Sequence, residues 1–139
     1  MLYDLHTHTK LSDGELSVDE LVEQANKNQY TAMAITDHAN EYDYQEILLN
    51  LLKQCSIASK SHELIVLAGI ELTGISPDKI ARVAIDARSL GAEIIIVHGE
   101  TTKEKVIPGT NKAAVECKEV DVLAHPGLIS NAQAKSAKQ

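Results

Sequence analysis

The stretch DLHTHTKLSDG, Asp4 to Gly14, sets two histidines one residue apart ahead of an aspartate and a glycine. Neutral imidazoles and carboxylates are the side chains that bind divalent Zn, Mn or Fe, and a carboxylate bridges two cations where an imidazole cannot. At an extended strand end the side chains of His6 and His8 fall on one face and Thr7 on the other, so the two rings can serve one ion. Asp13 follows across a glycine-containing loop long enough to fold back over the same place. Four more groups of this chemistry lie at or just past the ends of apolar runs: Asp37 with His38, Glu71, His98 and His125. Glu71 is the natural bridge among them. His62 is different, because it sits between Ser61 and Glu63 before its apolar run begins, with no partner motif. It reads as an ordinary surface histidine.

Elements of alternating period must position these groups. LYDLH, YTAMAITDH, HELIVLAGIEL, AEIIIVHGE and VDVLAHPG read as five strands. Between them SVDELVEQANKN carries Leu21, Val22 and Ala25 on one face, with Ser17 and Glu20 spaced as a capping box. YDYQEILLNLLKQCSIASK has an apolar stripe of Ile47, Leu48, Leu51, Leu52 and Cys55. SPDKIARVAIDARSLG opens with Ser76 as N-cap and Pro77 in the first helical position, and stops at Gly91. GTNKAAVECKE predicts a short fourth helix. Strict alternation of this kind predicts an α/β fold with a parallel sheet. Every strand then delivers an ionisable group at its carboxyl end, and only in a barrel do all such ends meet around one rim. The expectation is a distorted parallel (βα) barrel, incomplete at about five units where closure takes about eight strands. Open edges of that sort invite self-association. NAQAKSAKQ, residues 131–139, lacks periodicity and reads as a polar tail, a frayed helix or a disordered segment.

Composition narrows the function classes. With 139 residues the chain is expected to form one domain. It is 44% hydrophobic but 3% aromatic, so the core must be built from Leu, Ile, Val and Ala. A net charge of −7 disfavours a nucleic-acid backbone as partner, unless bound cations reverse the local field. Cys55 and Cys117 match no metal or disulfide spacing and suit a reducing cytosol. No apolar run has the length of a membrane span, and Asp4 and His6 occupy the place of a signal peptide's apolar stretch. The expected compartment is cytoplasmic.

Taken together, HTHTKLSDG, the TDH of Thr36 to His38, GIE at Gly69 to Glu71, HGE at His98 to Glu100 and AHPG at Ala124 to Gly127 resemble the polymerase and histidinol phosphatase (PHP) superfamily of metal-dependent phosphoesterases. The resemblance covers nearly all of residues 1–130. It implies a cluster of two or three divalent cations: His6 and His8 on one ion with Glu71 bridging, His98 and His125 on a second, Asp13 and His38 on a third. It further implies histidinol-phosphatase-like hydrolysis of the phosphate monoester of a small metabolite by a water that the cations acidify, with no protein nucleophile. Asp13, Glu71 and Asp37 are the candidate catalytic carboxylates, Asp37 favoured as the group that orients a ligand histidine. Glu100 and Lys103 are candidates for substrate contact. The family's closing Asp-x-His motif does not follow His125, which implies a shortened chain of reduced activity. Two alternatives share these features: an amidohydrolase-like enzyme, which would add a lysine at a strand end, and a catalytically impaired binding or scaffold module.

Overall fold

The computed structural model describes residues 1–137. Strand β1 (Tyr3–Thr7) leads into α1 (Val18–Lys27), which starts where the capping box was expected: the Ser17 hydroxyl accepts from the Glu20 N–H, and the Glu20 carboxylate accepts from the Ser17 N–H. Val18, Val22 and Ala25 are its buried stripe. The expected second strand is two pieces, β2 (Ala32–Ile35) and β3 (His38–Ala39). It breaks at Thr36 and Asp37 because β2 pairs with β1 on one side, whereas β3 pairs with β4 alone. Next come α2 (Tyr44–Ala58), β4 (Ile65–Leu72) and α3 (Pro77–Leu90). Gly91 ends α3 at φ 113°, a left-handed conformation that favours glycine. Ser76 stands at the N-cap, but its hydroxyl bonds to Asp78 rather than to the helix backbone.

The chain finishes with β5 (Ile94–His98), α4 (Thr110–Glu116), β6 (Val122–Ala124) and α5 (Asn131–Ser136). Helix α5 stands where a polar tail was expected, nucleated by a second capping box between Ser130 and Gln133. It buries none of its residues, which is why apolar periodicity did not signal it. The last two residues of the expected tail lie outside the described residues.

All pairings are parallel and the sheet order is β1-β2-β4-β5-β6, the order of the chain, with β3 alongside β4. Right-handed crossovers in sequential order put every helix on the same side and curl the sheet into a half-barrel. Two cores fill the sheet–helix layer. Met33, Ile35, Val66 and Ala68 pack with Val18, Val22, Leu51 and Cys55. Ile70, Leu72, Ile95 and Val97 pack with Leu48, Ile80, Val83 and Ala87. Both are aliphatic, as the composition requires. Burial pushes the Cys55 thiol up to about 12, so it is an inert core group. Cys55 and Cys117 are both unbridged. Among the described residues no helix is long and apolar enough to cross a membrane.

Candidate metal centre

Register explains why the polar groups meet. Along β1, Asp4 pairs with Met33 and Thr7 with Ile35, so one extra residue of β1 is accommodated as a bulge. The bulge puts Asp4 and Thr7 on the same side, lining one small cavity with Leu21, Ala25 and Met33. His6 and His8 therefore share the opposite side, at the rim. His38 opens β3 directly beside Glu71 of β4. Glu71 sits beside Ile96, and His98 beside Ala124. A simple continuation of β6 would throw His125 to the helix side. Instead His125 adopts φ 49°, uncommon for a residue with a side chain, and its ring stays among the others.

Glu71 is fully buried at the centre. Its Oε2 lies 2.8 Å from His6 Nε2, 3.2 Å from His8 Nε2 and 3.3 Å from His38 Nδ1. The rings of His98 and His125 are 5.1 Å apart, and His125 is 5.6 Å from His6. Five imidazoles therefore surround one carboxylate. Burial works to raise the Glu71 carboxyl, but hydrogen bonds from His6 and His8 and the charges of His6 and His38 outweigh it and hold the group at about 2. Burial likewise opposes protonation of His8, yet Glu71, Asp13 and Asp37 raise it, whereas His38 is lowered chiefly by burial.

Two sets of three residues bring one ligand atom each within 4.8 Å of one another: His6, Glu71 and His125, and His8, Asp13 and His38. The grouping the resemblance implied is also compatible with these distances, since His6 Nε2, His8 Nε2 and Glu71 Oε2 lie 2.8 to 3.2 Å from one another, the His98 and His125 rings are 5.1 Å apart, and Asp13 lies 3.6 Å from His38 Nε2. His98 borders both sets, its ring 5.7 Å from that of His38 and its Nε2 3.8 Å from the Glu104 carboxylate. Two polar atoms in this cluster, His8 Nδ1 and Glu71 Oε1, are buried without a hydrogen-bond partner among the described residues. Buried lone pairs left bare are costly unless something binds them. Nitrogen and carboxylate donors in each set suit Zn, Mn or Fe divalent ions, so the residues present fit the metal cluster.

Asp37 does not touch a ligand histidine, contrary to the role favoured for it from sequence. It is fully buried and accepts from Thr9 N at 2.7 Å, Thr9 Oγ1 at 2.8 Å and Ser12 Oγ at 2.6 Å. It thereby pins the loop that carries Asp13. Gly14 completes the pin, for a Cβ there would lie 2.2 Å from the His8 carbonyl oxygen. Asp13 itself is exposed and reaches within 3.7 Å of His8 Nδ1 and 3.6 Å of His38 Nε2. Thr73, which sequence reasoning missed, lies 2.7 Å from His38 Nδ1 while donating to the Glu71 carbonyl. With Nδ1–H donating to that hydroxyl, His38 presents a bare Nε2 toward Asp13. Strand alternation was the available signal, since positions 71 and 73 share a face.

Glu100 and Lys103 lie on the loop after β5. The Glu100 carboxylate accepts from the N–H groups of Gly109 and Asn111 at 3.0 and 2.9 Å, so it caps the entry to α4. Lys103 is exposed and lines a cavity that opens beside His125. The lysine expected of an amidohydrolase ends none of the described strands.

Residues 4–134 match the family model of the PHP domain. An uncharacterized protein of Methanocaldococcus jannaschii is 44% identical over 144 residues, covering 100% of this chain and 64% of that protein. Ribonuclease P protein component 3 of Methanosarcina barkeri is 29% identical over 142 residues, 99% of this chain and 52% of its own length. The DNA polymerase/3′-5′ exonuclease PolX of Bacillus subtilis is 30% identical over 131 residues, 88% of this chain and 23% of its own length. The chain thus spans no more than 64% of these relatives.

Proposed function

The chain belongs to the PHP domain family, and from that premise we propose that it is a metal-dependent phosphoesterase. The observation that carries this reading is the buried Glu71 among five histidines brought in by four strands, β1, β3, β5 and β6, with two of the cluster's ligand atoms left bare. His6, Glu71 and His125 would hold one divalent ion and His8, Asp13 and His38 another. Bound there, the ions supply Lewis acidity for a phosphoryl group and an acidified water. The protein's part is to fix the donors. Glu71 faces both sets, the His38–Thr73 bond sets the tautomer, and the Asp37 clamp holds Asp13 over the rim. The Ser12 hydroxyl on the rim loop is committed to Asp37 at 2.6 Å, and in this reading the attacking oxygen is that of water.

The family resemblance implied a small phosphate monoester, and the chain's negative charge speaks for a compact substrate over a long polynucleotide gripped along its backbone. The names of two relatives, an exonuclease and a ribonuclease P component, favour nucleic-acid esters. A nucleotide or oligonucleotide end satisfies both. The test is to assay p-nitrophenyl phosphate and bis-p-nitrophenyl phosphate with Mn or Zn added and then chelated. Chelator-sensitive cleavage of either supports a phosphoesterase. Retained metal with no turnover of either ester would favour the scaffold alternative.

A further inference from the structure

Beside the metal centre lies an open cleft of about 440 Å³ whose wall includes Thr101, Thr102, Lys103, Pro126 and Ile129 and which His125 also lines. That volume lies within the range of small-molecule sites, and is more than a phosphate group alone would need. Its frame is braced. Asn111, fully buried, accepts from the Glu100 N–H at 2.8 Å and directs its amide toward the Pro126 carbonyl at 3.5 Å. The Leu128 N–H donates to the Glu100 carbonyl at 3.1 Å, tying the loop after β5 to the turn that bears His125. Charge is distributed unevenly here. In a chain of net charge −7, Lys103 is the one permanently charged side chain on this wall, and it forms no ion pair among the described residues. Of the nearby acids, Glu100 is held by the α4 entry, and Glu104 is exposed, 3.8 Å from His98 Nε2 and in no ion pair with Lys103.

We propose that this cleft is a substrate subsite for the nucleoside next to the scissile phosphate, with the Lys103 ammonium meeting a second phosphate beyond it. Pro126 and Ile129 give a planar base an apolar wall, Thr101 and Thr102 offer hydroxyls to a sugar, and a lysine is a point charge suited to phosphate. A substrate of this kind is a nucleotide chain end bearing two phosphates rather than a compact monoester. The proposal rests on the phosphoesterase reading and adds the identity of what lies beside the reacting group.

The experiment measures binding of fluorescently labelled, phosphorothioate-linked dithymidine, with and without a 5′-phosphate, to the Mn-loaded chain. Wild type is expected to bind the two-phosphate probe about tenfold tighter, the scale of one charge-assisted contact. Lys103→Ala should erase that preference, Lys103→Arg should keep it, and bound Mn per chain should be the same in all three. The slope of log affinity against log salt should also fall by about 0.7 in Lys103→Ala, as expected for one phosphate contact to a single strand. A loop that merely lost order would not change the slope by one contact. Equal binding of both probes by wild type, or a preference that survives Lys103→Ala, overturns the subsite. If bis-p-nitrophenyl phosphate is still cleaved in that case, the phosphoesterase reading stands and only the subsite falls. Neither binding nor cleavage by the metal-loaded wild type removes both.

Discussion

On the β2–β3–β4 wall of the rim, each metal-facing group is held by the sheet ladder and by buried polar partners. On the β5–β6 wall His98 is likewise held in the ladder, but His125 stands on bent backbone past the last strand. Glu71 and His38 are adjacent strand residues, and Asp37 ties its neighbourhood to the first loop through three hydrogen bonds. His125 instead follows a strand of three residues, in a left-handed conformation, ahead of a helix that buries nothing. Metal ligation needs geometry fixed before the ion arrives, and the first wall provides it. The cleft and Lys103 lie along the second wall. The larger consequences of substitution should fall on the first wall.

The greatest is expected for Glu71→Ala. Its Oε2 faces three histidines that belong to two ligand sets, so its loss removes a shared charge and leaves imidazoles facing one another. Metal analysis after gel filtration should show both ions lost. Retention of either at wild-type level would mean that the histidines alone carry the cluster, and that the two walls do not differ as described.

Next comes Asp37→Ala, which strips three bonds to a buried carboxylate and leaves the Thr9 N–H without an acceptor. Unpaired buried donors and lost charge-assisted bonds predict a stability loss of about 3 kcal/mol. A titration followed by denaturant unfolding should show that loss, with weakened metal binding at the Asp13 set and little change at the His6 set. Equal weakening of both sets would show that Asp37 supports the whole rim rather than one loop.

What the sequence disclosed follows the same division. The alternation of strands and helices, the shared face of His6 and His8, and the arrival of ionisable groups at strand ends all follow from period, and periods are local. The bulge in β1 was hidden, because only the pairing of Asp4 with Met33 and Thr7 with Ile35 reveals the extra residue. The partners of Asp37 and Glu100 were hidden for a related reason: a carboxylate next to a histidine motif looks the same whether it orients that histidine or caps a backbone. Helix α5 stayed open between a frayed helix and a disordered segment because it buries no stripe, and its capping box is a weaker signal than periodicity.

A smaller effect should appear in the free protein without any substitution. Amides of β6 and α5 should exchange with solvent by local opening at least about tenfold faster than those of β2 and β4, because few buried apolar contacts hold them. Hydrogen-exchange mass spectrometry on peptides spanning 122–136 and 65–72 makes the comparison. Uniform protection would mean that the left-handed turn at His125 is as firmly held as the central strands.

The smallest effect belongs to the sixth histidine. His62 precedes β4 at the amino end of the strands, across the full length of the sheet from Glu71 at the carboxyl end. Its side chain is half-buried, and its charge reaches Glu23 of α1, whose carboxyl is lowered mainly by Lys27 and only slightly by His62. Glu23 is already paired with Lys27 at 2.6 Å, none of the ligand sets found among the described residues includes His62, and no special backbone conformation depends on the ring. His62→Ala should therefore stay within about 0.5 kcal/mol of wild-type stability. Bound metal should be unchanged, whereas His6→Ala and His125→Ala each remove a donor from the set centred on Glu71. Running the three together separates position from residue type, since all remove one imidazole but only two remove it from the rim. A fall in metal for His62→Ala equal to that for His6→Ala would mean that the chain binds metal through scattered histidines, and that convergence at the strand ends is not what selects the ion.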